Sequence, residues 1–413
     1  MAYSVALRQI TSTWFKNTVL FSFLIAVACG SSAGKDENGK AVAENAMTAK
    51  TTKTILTGAD NHQAYLPHLA GKKIGIVTNQ TGVLSNGTHV VDFLLSKKID
   101  VKAIYAPEHG FRGTADAGES ITDGKDTKTG LPIISLYGEN KKPKPEQLKN
   151  IDILVFDLQD VGARFYTYIS SLHYIMEACA ENNIPMFVLD RPNPNGGIVD
   201  GPILEDEHKS FIGMHKIPVL HGMTIGEYAQ MINGEKWLKN GKQCLLMVVP
   251  CVNYQTGMDY HLPAKPSPNL PNDQAVNLYA SLCFFEGTNV SVGRGTDKQF
   301  QIYGSPFLPK SDFSFTPSPN IGSRDPLHNG KLCYGEDLSA APKVTKLELK
   351  WLINAYQNTT DKSKFFIPFF TKLAGTKKLQ QQIESGLSES EIRKSWEPGL
   401  LTFMKTREKY RIY

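Results

Sequence analysis

The sequence predicts an α/β protein built on a mostly parallel, doubly wound sheet, followed by a second, smaller α/β domain. Three observations carry this. Short apolar runs recur through the first two thirds of the 413 residues, with the length and composition of strands buried on both faces. Segments with helical spacing separate them, and strand–helix–strand alternation leads to parallel pairing. The polar clusters follow the apolar runs rather than precede them, at the edge where open α/β sheets bind ligands.

In chain order, Ile74-Gly75-Ile76-Val77 reads as the first strand and Val90 to Leu95 as a helix. Strands follow at Val101 to Tyr105, Ile133 to Tyr137 and Ile153 to Phe156. Tyr168 to Asn182 has Leu172, Ile175, Met176 and Cys179 on one face and predicts a helix. Pro185 to Leu189 and Leu245 to Val249 are further strands. After about Asn272 the character changes to Gly/Thr/Ser loops and a Pro-rich stretch from Pro306 to Pro326. Helices are expected there over Lys346 to Tyr356 and Leu379 to Trp396. The expected domains are 55–272 and 273–413.

The first thirty residues read as an export signal. Arg8 and Lys16 precede an apolar run from Val19 to Ala28, too short to span a bilayer comfortably and suited to a signal core. It ends at Ala26-Val27-Ala28-Cys29-Gly30, small residues before a Cys, as in lipoprotein signals, with Ala26 where Leu is usual. The expectation is a signal peptide over 1–28, lipidation of Cys29, and a polar tether to residue 54. That places the protein in the cell envelope, periplasmic or outer-membrane associated, touching a membrane through the lipid anchor only. Setting Cys29 aside, Cys179, Cys244, Cys251, Cys283 and Cys333 remain. They are odd in number, irregularly spaced and mostly in apolar runs, so they read as buried thiols rather than disulfides or a metal site. A net charge of +5 with no long Lys/Arg run argues against nucleic-acid binding.

The strand ends carry the chemistry. The first strand runs into Thr78-Asn79-Gln80, the second into Pro107-Glu108-His109-Gly110-Phe111-Arg112. The run ending at Phe156 leads into Asp157, Asp160, Arg164, Tyr166 and Tyr168, and the next into Asp190-Arg191-Pro192-Asn193. A lone strand-end Asp often caps the next helix, but several such clusters on one edge predict a shared cleft. Glu108 suits a general acid, if partial burial raises its pKa, or a salt bridge to Arg112 or Arg164. His109 suits substrate binding or a structural hydrogen bond. Thr224 and Glu227 form a capping box at a helix start, with His221 just before it. Glu286 and Arg294 lie in a long polar loop, Phe285 to Asp297, whose glycines permit close approach to a ligand. That loop lacks the Walker ending, and no metalloprotease His pair, Cys-x-x-Cys, dinucleotide fingerprint or strand-borne serine elbow occurs. No cofactor and no metal are expected.

Six stretches resemble one family. They are Ala106 to Gly113, Phe156 to Tyr168, Asp190 to Pro194, Gly201-Pro202, Pro266 to Pro271 and Phe285 to Asp297. Together they resemble the bacterial exo-β-N-acetylmuramidases, known earlier only as a domain of unknown function, across essentially all of residues 55 to 413. The resemblance implies a Rossmann-like N-terminal domain, a smaller C-terminal domain and a cleft between them. It also implies release of N-acetylmuramic acid from the non-reducing ends of peptidoglycan fragments. That sugar bears a lactyl carboxylate, which guanidinium forks at Arg112, Arg164, Arg191 and Arg294 would match. Glycoside hydrolysis needs an acid and a group on the other face. Glu108 is the expected acid, and Asp160, Asp157 or Glu286 its partner. Asn79, His109, Tyr166, Tyr168, His221 and Asn269 complete the expected sugar contacts. Two rival readings share the cleft: a peptidoglycan-binding lipoprotein without turnover, and an esterase or amidase acting on wall fragments.

Overall fold

The apolar runs become strands because both of their faces are covered. In β5 (Ile153–Asp157) all five residues are buried. Ile153 and Val155 point into one hydrophobic core, while Leu154 and Phe156 point into the other, as the two-residue side-chain period of a strand requires. The computed structural model describes residues 53–108, 110–111 and 123–413. In chain order, the first part holds α1 (Leu66–Leu69), β1 (Lys73–Thr78), α2 (Val90–Ser96), β2 (Asp100–Ala106), β3 (Gly124–Lys125), β4 (Pro132–Ser135), α3 (Pro145–Leu148), then β5. It continues with α4 (Tyr168–Asn182), β6 (Met186–Leu189), β7 (Val199–Asp200), β8 (Leu220–His221), α5 (Ile225–Gly234) and β9 (Leu246–Val249).

Seven strands make the central sheet, in the order β3-β4-β2-β1-β5-β6-β9. All neighbours pair in parallel except β3 with β4. Counting only the six parallel strands along the chain, the order is 3-2-1-4-5-6, that of a Rossmann-type doubly wound sheet. The order reverses between β1 and β5, where Thr78 lies opposite Asp157. Outside the carboxyl ends there, the flanking loops part and leave a crevice.

Helix α4 runs over the span its sequence predicts. Its predicted apolar face is buried, and so are Ser170, Ser171, His173 and Glu177, because α5 packs against it. It stops at Asn183, whose left-handed φ of 54° lets its N–H reach the Cys179 carbonyl.

The remaining chain adds α6 (Asp273–Leu282), β10 (Ile302–Ser305), β11 (Ser314–Phe315), β12 (Cys333–Asp337), α7 (Lys350–Asn358), α8 (Phe370–Ala374), α9 (Lys378–Glu384) and α10 (Glu389–Glu408). Its three strands form a small antiparallel sheet, β10-β12-β11. Two helix expectations need correction. The helix expected from Lys346 begins at Lys350, and the chain before it is tied down by the Leu347 and Glu348 N–H groups, which donate to Asp200 Oδ2 (2.8 Å) and Ser281 Oγ (2.9 Å). The one expected over Leu379 to Trp396 is two helices. Gly386, at φ +75°, breaks it, and Ser388 with Glu391 forms the capping box that starts α10. The cysteines from Cys179 to Cys333 are buried and free. Among the described residues no helix is long and apolar enough to cross a membrane.

Behind α4 lies a buried imidazole pair. His215 Nε2 meets His173 Nδ1 at 3.0 Å, and His215 Nδ1 meets the Tyr228 hydroxyl at 2.8 Å. Burial pulls both imidazoles below their ordinary 6.5, His215 furthest. Below pH 6.5 the unfolded chain gains protons that the folded chain refuses, so stability is lost as pH falls. The thermal midpoint is therefore expected to drop between pH 7 and pH 5, and by less in His173→Gln. Equal drops in the two proteins would remove His173 from that account.

Candidate active site

Two strand-end loops, the segment that leads into α6 and the second half of the chain line one pocket, the kind of concave, partly apolar cleft that takes a small molecule. Glu108 comes from the loop after β2, and Tyr166, Thr167 and Tyr168 from the loop after β5. Ser267, Asn269 and Leu270 come from the segment that leads into α6. Tyr279, Cys283, Glu286, Arg294 and Phe300 come from the second half. The pocket thus flanks the point where the strand order reverses.

Each wall is held by its own hydrogen bonds. The Thr167 hydroxyl lies 2.7 Å from Glu108 Oε2, and Tyr137 also hydrogen-bonds to the Glu108 side chain. Burial first, and then the Glu108 charge, pushes the Tyr137 phenol up, so it stays a neutral donor. Asn79 donates from Nδ2 to the Tyr168 hydroxyl at 2.6 Å, and its Oδ1 accepts from Thr81. It therefore stands behind Tyr168 rather than on the pocket wall. Tyr166 packs edge-on against Tyr168, with ring centroids 4.8 Å apart, and donates to the Pro266 carbonyl at 2.7 Å. That bond ties the loop after β5 to the 266–271 segment.

Opposite, Arg294 Nε donates to Glu286 Oε1 at 2.5 Å and its guanidinium lies 5.1 Å over the Phe300 ring. Burial works against the Arg294 charge, but the Glu286 carboxylate outweighs it and holds the guanidinium above its ordinary value. Cys283 Sγ donates to Glu286 Oε2 at 3.5 Å. Burial, with Glu286 the next cause, keeps this thiol well above its usual range. Both Glu286 oxygens thus have donors. The pair is only partly covered, with side chains 23% and 25% exposed.

The other predicted residues sit elsewhere. Asp157 and Arg191 pair with each other at 2.6 and 2.9 Å, both completely buried. Asp160 Oδ2 accepts from the Gly162 N–H at 2.6 Å and lies 3.5 Å from His221 Nε2, again inside the protein. Gly162 is at φ +79°, and a Cβ there would lie 2.4 Å from the Asn193 side chain, so this turn requires glycine. Arg164 is fully buried and, among the described residues, makes no ion pair with a carboxylate. It donates to the carbonyls of Pro202, Ile217, Leu373 and Ala374 at 2.8–2.9 Å. Asp157, Asp160, Arg164 and Arg191 correct the expectation that such groups face a ligand: each bonds to groups inside the protein. Asp190 braces the start of α5, whose N-cap is Thr224. Gly226 N–H and Thr224 Oγ1 donate to it at 2.7 Å, and burial pushes its carboxyl up to about 7. Cys29, His109 and Arg112 lie outside the described residues.

Of the predicted residues, the pocket unites Glu108, Tyr166, Tyr168, Asn269, Glu286 and Arg294. Sequence reasoning missed Tyr137, Thr167 and Cys283. Tyr137 is legible in principle, since it follows β4 as Glu108 follows β2, but the apolar run Ile133 to Tyr137 extends the strand over it.

The comparisons with known proteins agree over most of the chain. The family model for exo-beta-N-acetylmuramidase NamZ, N-terminal, matches residues 74–274, and its C-terminal counterpart matches 277–413. The chain is 41% identical over 396 residues to the peptidoglycan beta-N-acetylmuramidase NamZ of Bacillus subtilis (strain 168), covering 89% of this chain and 93% of that one. Two crystal structures of DUF1343 family proteins from Bacteroides fragilis NCTC 9343 superpose on it. One has a TM-score of 0.80 at 44% identity, the other 0.73 at 30%, each covering 87% of this chain and 99% of its own.

Arg164 joins the two halves that wall the pocket. Arg164→Met strips four buried carbonyls of their donor, and is expected to cost on the order of 3 kcal/mol or more in urea unfolding. An unchanged unfolding midpoint would show that the halves are held together by other contacts.

Proposed function

The chain belongs to the exo-beta-N-acetylmuramidase family, and we propose that it removes N-acetylmuramic acid from the non-reducing ends of peptidoglycan fragments. The observation that supports this most is the pocket's pair of carboxylates, Glu108 and Glu286, which come from different halves of the chain and line one cavity. A glycosidase needs a proton donor for the leaving oxygen and a negative or basic group at the other face of the sugar. Glu108 takes the first role, oriented by Thr167 and Tyr137. Of the three candidates for the second, Glu286 is on the pocket wall, which Asp157 and Asp160 do not line.

Glu286 and Arg294 divide the remaining work. The Glu286 charge stabilises the positive character that develops at the anomeric carbon. Arg294 uses Nε on Glu286, and its terminal nitrogens are suited to the lactyl carboxylate, which a guanidinium fork matches. The rings of Tyr166, Tyr168, Tyr279 and Phe300 supply apolar faces for the sugar. The thiol that lines the pocket, Cys283, is kept protonated by burial, which weighs against acyl-transfer chemistry at this site.

We also propose that the protein is exported and held at a membrane by a lipid on Cys29. The support is the apolar run from Val19 to Ala28 with small residues before that Cys. We likewise propose a domain division near residue 272, where the composition changes to Gly/Thr/Ser loops.

A muramyl disaccharide, N-acetylmuramic acid linked to N-acetylglucosamine, is expected to yield both free sugars with the purified enzyme. Glu108→Gln should lower kcat by about 10²–10⁴-fold with its melting temperature unchanged. Full activity in that variant would remove Glu108 from the acid role. In cells, Cys29→Ser should move the protein from the membrane fraction to the soluble fraction. Continued membrane retention without the thiol would contradict lipidation.

A further inference from the structure

Among the described residues, the pocket wall contains one side chain with a buried polar atom that lacks a hydrogen-bond partner. Asn269 is 1% exposed and lines the cavity. Its backbone N–H donates to Ser267 Oγ at 3.2 Å, and its Nδ2 donates to the Gly322 carbonyl at 2.7 Å. Gly322 is at φ +103°, and a Cβ there would lie 2.9 Å from Pro268 and 3.2 Å from the Asn269 amide. Only glycine lets the chain approach this closely, and that approach fixes which end of the amide is the nitrogen. The Asn269 Oδ1 is left without a donor. Among the described residues that line the pocket, it is the one side chain with a buried atom lacking a hydrogen-bond partner.

A buried carbonyl oxygen without a donor is costly to keep, and a binding site is a usual reason for keeping one. Its neighbourhood narrows what the ligand brings. Leu270, next in sequence, lines the same pocket, and Tyr279 packs edge-on against Phe300 beside it, with ring centroids 5.0 Å apart. An acceptor next to an apolar wall complements a group that carries one N–H and one methyl.

We infer that Asn269 reads the 2-acetamido group of the sugar, its Oδ1 accepting the amide N–H while the acetyl methyl rests on the apolar wall. The inference rests on the muramidase reading and assigns a specificity role within that site. A hydroxyl at the same ring position can donate to Asn269, but it leaves the wall unfilled. A site built around a specific donor discriminates against ligands that lack it, because its own acceptor is then left unpaired.

The test uses inhibition of N-acetylmuraminide hydrolysis by two monosaccharides, N-acetylmuramic acid and its counterpart with hydrogen in place of the acetamido group. Wild-type enzyme is expected to bind the acetamido sugar at least about 10-fold more tightly. Asn269→Ala and Asn269→Ser should weaken that sugar about 10–100-fold, leave the deoxy sugar within about 3-fold, and bring the ratio toward one. Melting curves establish that the variants are folded. The wild-type comparison needs no variant, and equal inhibition by the two sugars overturns the assignment. Variants that weaken both sugars equally, or neither, overturn it as well, the first pointing to a donor elsewhere on the sugar. Wild-type enzyme that fails to hydrolyse the N-acetylmuraminide at all contradicts the muramidase reading instead.

Discussion

A buried guanidinium, together with the Asp200–Arg393 pair and a shared hydrophobic core, ties the two halves of the chain to each other. Among the described residues Arg164 has no carboxylate partner, and four carbonyl dipoles face its charge. Two of them, Leu373 and Ala374, belong to the last turn of α8, where a helix presents its unsatisfied carbonyls and the negative end of its dipole. The other two, Pro202 and Ile217, belong to the first half. A buried charge satisfied in this way is strongly directional. It fixes the start of α4, and with it Tyr166, Thr167 and Tyr168, relative to the chain that carries Glu286 and Arg294. Gly375 is part of the same arrangement, since a Cβ there would meet the Arg164 guanidinium at 2.7 Å.

The same chemistry explains why arginines that look alike in sequence differ in use. Arg164, Arg191 and Arg294 all lie near polar strand ends or loops rich in ligand-binding residue types. Arg191 is locked into a completely buried pair with Asp157, whose removal from water is tolerated only because the two groups bond each other closely. Arg294 faces a pocket and keeps a partly exposed carboxylate beside it. Spacing along the chain does not encode which guanidinium meets a carbonyl, which a carboxylate and which a ligand. That depends on the second half of the chain folding back.

Much of the fold is legible in the apolar pattern. β1, β2, β5, β6 and β9 and the whole of α4 follow from runs of buried residues and a helical period. The short pairings β3, β7 and β8, two residues each, carry no such pattern and are set by tertiary contacts. The helix break at Gly386 was readable from the glycine itself, but the charged sequence on both sides is equally helical. At the site, the rule that polar groups gather beyond strand ends located Glu108, Tyr166 and Tyr168. It does not distinguish a wall from its supports, so Asn79 reads like a contact although it props Tyr168. The orientation of Asn269 depends on Gly322, more than fifty residues away, and no local signal announces it.

The account rests on one cavity receiving one sugar between carboxylates from two halves of the chain. The measurement that tests this most directly is a crystal structure with N-acetylmuramic acid bound. The account predicts the anomeric carbon between Glu108 and Glu286, with the lactyl carboxylate on Arg294. A sugar seated instead against Pro194, Tyr260 and Gln274, which line a separate pocket, with Glu108 and Glu286 untouched, would contradict it.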